Sequence, residues 1–111
     1  MDLAATGVQL GQFLSYLTHR QEIIASNIAN ADTPGYKTRD VESSPFSTAL
    51  NDAGSVVEAE GLAARSDGNN VSIDRQSQLL AETTLKFSVA AQLVRSQIKS
   101  LRSAIEEGRS P

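Results

Sequence analysis

Ile24-Ala25-Ser26-Asn27-Ile28-Ala29-Asn30-Ala31-Asp32-Thr33-Pro34-Gly35-Tyr36-Lys37 reads as the end of a helix and the turn that stops it. Pro34 pushes Thr33 out of the helical region, and Pro34-Gly35 suits the two central positions of a type II turn. Asn27 and Asn30 stand three apart, so their amides project from neighbouring positions on one face. Amides so placed can bond across to the backbone of a partner. A generic helix stop accounts for Pro34 and Gly35, but not for the two asparagines or Tyr36.

Upstream of this corner, Leu3, Leu10, Leu17, Ile24 and Ala31 recur every seven residues, and Leu14 and Ile28 fill the intervening four-residue steps. This spacing predicts a helix from the start of the chain to about residue 31. The last third repeats the pattern: Ile73, Leu80, Phe87, Val94 and Leu101 form one row, followed at four residues by Thr84, Ala91, Ile98 and Ile105. A second helix is expected over 73–107, capped by Ser72 or Asp74 and stopped at Gly108. Leu17, Ile24, Phe87 and Val94 are then expected to be buried between the helices.

The intervening residues 32–72 hold three turn clusters: Thr33-Pro34-Gly35, Asp52-Ala53-Gly54 and Asp67-Gly68-Asn69-Asn70. Most of this segment is expected to be irregular. Ser44-Pro45 followed by Phe46, Ala49 and Leu50 predicts a short helix near 45–52. Val56-Val57-Glu58-Ala59-Glu60 has β character without an evident partner run, so coil or a short edge is expected. The fold class is therefore all-α: two long terminal helices forming an antiparallel coiled-coil hairpin, joined by a long, mostly irregular segment with one short helix. Residues 1–111 read as a single domain, divided at 1–31, 32–72 and 73–107.

A chain of 111 residues has room for one small domain. With 5% aromatic residues, its burial must come mainly from aliphatic side chains. The net charge of -3 gives no electrostatic footprint for nucleic acid or an anionic membrane. Without cysteine, disulfides, thiolate metal sites and thiol nucleophiles are excluded. Met1-Asp2-Leu3 lacks the basic n-region of a secretory signal, and no stretch approaches the roughly 20 apolar residues that span a bilayer. Export, if it occurs, is expected to use a route without a cleaved signal.

Catalytic chemistry has no constellation to carry it. His19 is the single histidine, and a metal site would need further converging ligands. Glu106 and Glu107 are adjacent, so they do not face one another on a helix. The glycines match no phosphate loop. No enzyme activity, cofactor or metal is expected. Residues 1–31 carry Asp2, Arg20 and Glu22 as their full charges, and small uncharged residues such as Thr18, Ala25, Ser88 and Ala90 flank the seams. Such flanks suit helices enclosed by several neighbours rather than a solvated two-helix pair.

The pattern N-x-A-N-x-x-T-P-G-Y over Asn27–Tyr36 resembles the N-terminal signature of the flagellar axial proteins, the rod, hook and hook-associated family. The short length, the Asp67-Gly68-Asn69-Asn70-Val71 run before the last helix and the Leu101-Arg102-Ser103-Ala104-Ile105 ending are most similar to its rod members. Gln76-Ser77 and Phe87 depart from that pattern, which usually has Glu-Met and Tyr. The resemblance implies a structural subunit whose terminal helices pack together and stack with those of neighbours into the wall of the periplasm-spanning rod. That rod transmits torque and encloses the export channel. It implies passage through the flagellar type III apparatus. The implied partners are copies of itself, the other rod proteins and the adaptor to the membrane ring and export gate. The expected assembly interface comprises Leu10, Leu14, Leu17, Ile24, Asn27, Ile28, Asn30, Leu80, Phe87, Val94, Ile98 and Leu101. Thr33, Pro34, Gly35 and Tyr36 form the turn, and Asn69, Asn70 and Val71 lead into the last helix. A soluble helical-hairpin adaptor or secretion chaperone is the alternative of another class.

Overall fold

The computed structural model describes residues 3–42 and 56–109. In chain order the elements are helix α1 (Leu3–Ala29), strand β1 (Arg39–Val41), strand β2 (Val56–Glu58) and helix α2 (Ile73–Arg109). The short helix expected at 45–52 lies outside the described residues. Near the closed end of the hairpin Asn27 bonds to Gln76, midway Gln21 meets Thr84, and towards the open end Gly7 lies against Gln97. As one number rises the other falls, so the helices run antiparallel. The molecule measures 73 × 22 × 16 Å with a radius of gyration of 18.6 Å. A compact chain of about 100 residues would have a radius near 13 Å. So elongated a shape has too little interior to cover both apolar stripes.

α1 ends as its sequence dictates. The N–H of Tyr36 donates to the carbonyl of Thr33 at 3.2 Å across Pro34-Gly35, and Gly35 has φ +76°, as the third position of a type II turn requires. At the start of α2, Ser72 is the cap: its Oγ accepts from the N–H of Arg75 at 3.2 Å, and Asp74 adds negative charge to the first turn. Gly108 is not the stop, because the helix continues through it to Arg109.

The Val56–Glu58 run does have a partner. It pairs antiparallel with Arg39–Val41, in the register Arg39 to Glu58, Asp40 to Val57 and Val41 to Val56. Two charged residues in three concealed β1 from a hydrophobicity reading. β1 packs against α1, and Val41 is buried there.

The interhelical seam differs from expectation on one side. Leu17 and Ile24 are buried at 1% exposure, and Leu10, Leu14 and Ile28 are half-buried. On α2 the buried residues are Gln76, Thr83 and Ala90, each three positions on from Ile73, Leu80 and Phe87. Phe87 and Val94 are half-buried, whereas Leu80, Ile98 and Leu101 are 38–48% exposed. The physical reason is close approach with polar satisfaction. Ala90 is small, the Thr83 hydroxyl donates to its own helix at the carbonyl of Leu79 (2.7 Å), and Gln76 accepts from Asn27. α2 thus turns its small and bonded row inward over 76–90 with Phe87 and Val94 at its edge, while Ile98 and Leu101 lie in the last stretch of the helix, where every residue from Ile98 to Arg109 is exposed.

This division gives a stability test on the purified protein. Ile24→Ala should cost about 2 to 5 kcal/mol, as for a buried aliphatic side chain. Leu101→Ala should stay within about 0.5 kcal/mol of the parent, as for an exposed one. Urea unfolding followed by circular dichroism measures both.

Candidate functional site: an interlocked polar corner and an exposed apolar face

The corner is assembled from two sequence segments 40 or so residues apart that bond to each other. Asn27 is fully buried and its amide is fully bonded within the chain. Nδ2 donates to the carbonyl of Arg39 (2.7 Å) and to Oε1 of Gln76 (2.9 Å). Oδ1 accepts from the Arg39 N–H (3.0 Å) and the Tyr36 hydroxyl (3.2 Å). This one side chain ties α1 to the start of β1, to the turn and to α2.

Asn69, also fully buried, performs the complementary task. Its Nδ2 donates to the carbonyls of Asn30 (2.9 Å) and Thr33 (2.8 Å), which also accept from the backbone N–H groups of Thr33 and Tyr36 just past the end of α1. Its Oδ1 accepts from the Val71 N–H at 2.8 Å, shaping the entry to α2. Asn70 continues the contact, with its Oδ1 accepting from the Thr38 N–H at 2.6 Å and its carbonyl from the Thr38 hydroxyl at 3.1 Å. Arg65 donates to the carbonyls of Ala31 and Val71, and Lys37 to that of Gly68.

Two turns meet back to back here. The N–H of Gly35 donates to the carbonyl of Asp67 at 2.8 Å. A Cβ at Gly68, where φ is +86°, would lie 3.3 Å from the Cα of Gly35. Beside the corner, Arg20 grips Asp40 through two hydrogen bonds, Nε to Oδ1 at 3.1 Å and Nη2 to Oδ2 at 3.2 Å. Burial disfavours the charged guanidinium, but the Asp40 hydrogen bond and charge outweigh it and raise the Arg20 pKa above its ordinary value.

Asn27 and Asn30, expected to bond to neighbouring molecules, already have partners within the chain. The amide of Asn27 has no capacity left. Asn30 caps its own helix, donating to the carbonyl of Ser26 (2.8 Å) and accepting from the Thr33 hydroxyl (3.1 Å). Thr33, Gly35 and Tyr36 join this corner through their bonds, while Pro34 is exposed on the turn. Gln76, Arg20, Asp40, Thr38 and Arg65 were missed as members. Arg20 had a legible signal, being the single arginine on a nearly charge-free helix.

Outside the corner, α2 presents apolar residues on both sides of its buried row. Leu80, Ile98, Leu101 and Ile105 lie exposed on one flank. On the other, Leu85, Val89 and Leu93 join Leu10 and Phe13 of α1 to line an apolar groove. Among the described residues no group of His, Asp and Glu could hold a metal ion, and no helix is long and apolar enough to cross a membrane.

A polar-locked hairpin with an uncovered apolar flank is the form of a structural protein that packs against others. Residues 14–37 match the model of the Flagella basal body rod protein family. The chain is 30% identical over 122 residues to the flagellar basal body rod protein FlgB of Yersinia enterocolitica, covering 86% of this chain and 89% of that protein. Similarity to FlgB of Escherichia coli strain K12 is 30% over 125 residues, covering 86% and 88%, and to FlgB of Aeromonas hydrophila 30% over 118 residues, covering 84% and 86%. The chain belongs to the flagellar basal body rod protein family: it is a structural rod component of the flagellar basal body, not an enzyme, and assembles with other rod components.

Two tests address the corner. Gly68→Ala should destabilise more than Gly35→Ala: both face the positive-φ penalty of about 1 to 2 kcal/mol, but a Cβ at Gly35 meets open space whereas one at Gly68 meets backbone. Gln76 Nε2 is buried without a partner, so Gln76→Leu removes an unfavourable donor along with one good bond. Asn27→Leu strands buried partners at about 1 to 3 kcal/mol each and should be the more damaging change. Chemical denaturation of the four variants ranks them.

Proposed function

We propose that this chain is a proximal rod subunit that polymerises through its two helices, adding to a tubular wall that encloses the export channel and transmits torque across the periplasm. The observation that carries this reading is the outward apolar row of α2, with Leu80, Ile98, Leu101 and Ile105 each 38–50% exposed beside a hairpin already closed by polar bonds. Water-exposed aliphatic stripes of this length favour burial against further helices. Membership of the rod family supports the same role and displaces the adaptor or chaperone alternative. Copies of itself, the other rod proteins and the adaptor to the membrane ring and export gate are the proposed partners. Delivery is through the flagellar type III apparatus.

The test separates assembly from folding. Ile98→Asp with Leu101→Asp places two carboxylates on the exposed row, away from the corner. The purified variant should keep the parent's circular dichroism and unfolding midpoint. Cells that carry it as their sole copy should export the protein yet lack rods and flagella by electron microscopy. Normal flagellation of those cells would refute polymerisation through this face.

A further inference from the structure

Asp67-Gly68 is the one Asp-Gly step in the chain, and it lies in the turn that backs onto Pro34-Gly35. The pair has a chemistry of its own, because glycine carries no side chain to shield its backbone nitrogen from the preceding carboxyl group. The Gly68 nitrogen, giving up its proton, can bond to Cγ of Asp67 while one carboxyl oxygen leaves as water. The product is a five-membered succinimide. Water reopens the ring at Cγ, which restores aspartate, or at the former backbone carbonyl, which leaves the main chain running through the side chain as an isoaspartyl linkage. One water leaves and one returns, so the atoms balance without an oxidant or a cofactor.

The folded corner obstructs the first step. Asp67 is exposed, so exclusion of water is not the obstacle. The obstacle is geometric. The new bond would set Cγ where the Gly68 amide hydrogen now stands, and that hydrogen points at the carbonyl of Arg65, 2.9 Å from the nitrogen. A carbon in its place would overlap the oxygen. The flanking groups are held as well. The Asp67 carbonyl accepts from the Gly35 N–H at 2.8 Å, and the Gly68 carbonyl accepts from Lys37. Oδ1 of Asp67 accepts from the Asn69 N–H at 2.9 Å and faces Nε of Arg65 at 4.0 Å. Ring closure therefore has to open the Arg65–Gly68 turn, which is packed against Gly35.

The reaction also has a structural consequence at this position. An isoaspartyl linkage adds one carbon to the main chain immediately before Gly68 and Asn69. Asn69 is the buried residue whose amide bonds to the carbonyls of Asn30 and Thr33. An extra backbone atom displaces it from both.

We propose that Asp67 is a folding-controlled modification site: the unfolded chain converts Asp67-Gly68 to the isoaspartyl form, the closed corner holds it unreactive, and the isomerised chain cannot rebuild the corner. Reaction then follows the fraction of molecules in which the corner is open. The isomerised chain is a substrate for an enzyme that methylates isoaspartyl carboxylates, since the methyl ester collapses to the succinimide with loss of methanol and so returns part of the chain to aspartate. The site is independent of the rod reading, because it depends on the closed corner alone.

Ageing the full chain in parallel under native conditions and in guanidinium chloride at the same pH tests this. Isoaspartate is read in the tryptic peptide Ser66–Arg75 by fragmentation that distinguishes the two linkages, and in the whole protein by methyl transfer from S-adenosylmethionine with an isoaspartyl methyltransferase. The native protein should form isoaspartate at residue 67 at least about tenfold more slowly than the unfolded one. Asp67→Glu, which would need a larger ring, should lose most of the methyl acceptance of the unfolded chain. After return to native conditions the isomerised wild type should unfold at lower denaturant than the parent, and repeated methylation should move its midpoint back. Equal rates in the two states would overturn the proposal, as would an unfolded chain that stays unmodified at residue 67. Undiminished methyl acceptance by Asp67→Glu would place the site elsewhere and overturn it too. An isomerised protein with the parent's midpoint would overturn the claim that the corner cannot be rebuilt.

Discussion

The two amide hydrogens of Asn69 hold the end of α1 in place, and the rest of the hairpin depends on that hold. A helix leaves its last carbonyls without intrahelical partners, and a buried carbonyl without a partner is costly. Asn69 supplies donors to Asn30 and Thr33 from a segment that immediately precedes α2. The cap is therefore also the joint. One side chain satisfies the exit of the first helix, directs the Val71 N–H at the entry to the second, and so fixes where the second begins. Asn27 repeats the principle from the opposite side, binding both backbone groups of Arg39 and the Gln76 side chain. Each asparagine reaches the other segment, so neither motif is complete alone.

This joint explains why the seam can be polar. A pair of helices held in register by directional bonds does not need its largest apolar residues facing inward. Gln76 extends the corner into the seam, Thr83 satisfies its own hydroxyl, and Ala90 permits close packing. The apolar content of α2 is then free to face outward. Had Leu80, Phe87, Val94 and Leu101 formed the internal seam, the hairpin would have buried the surface on which association with other helices depends.

Much of the architecture was legible in the sequence because it follows from period and punctuation. The heptads gave both helices, Pro34-Gly35 gave the turn, and Ser72 gave the cap. What escaped has particular causes. A heptad row shows that a helix has an apolar face but not what covers it, so Phe87 and Val94 were expected to be buried between the helices and are half-buried. Strand β1 escaped because Arg39-Asp40-Val41 carries two charges, one of which is held by Arg20 and one of which lies opposite Glu58. The asparagines were recognised as binding residues, but an amide in a sequence does not disclose whether its acceptor lies in the same chain. That information is topological: Asn27 meets Gln76 only once the helices have been brought together.

The distribution of interactions also bears on how one chain can be both a defined unit and a component. Hydrogen bonds are directional and favour a single geometry, so placing them at the corner specifies the hairpin without reference to any neighbour. Apolar contacts are non-directional and scale with area, so placing them along the outer flank lets many helices pack without each demanding its own set of polar partners. The reverse allocation would fail on both counts. An apolar corner would lose the Asn69 donors that tie the carbonyls of Asn30 and Thr33 to the segment before α2, and an outer flank lined with asparagines would be hydrated and would gain little from burial. The two unusual features of the chain, buried amides in a small hairpin and bare leucines along a long helix, are thus consequences of one requirement: the fold must be settled locally so that its apolar surface remains available.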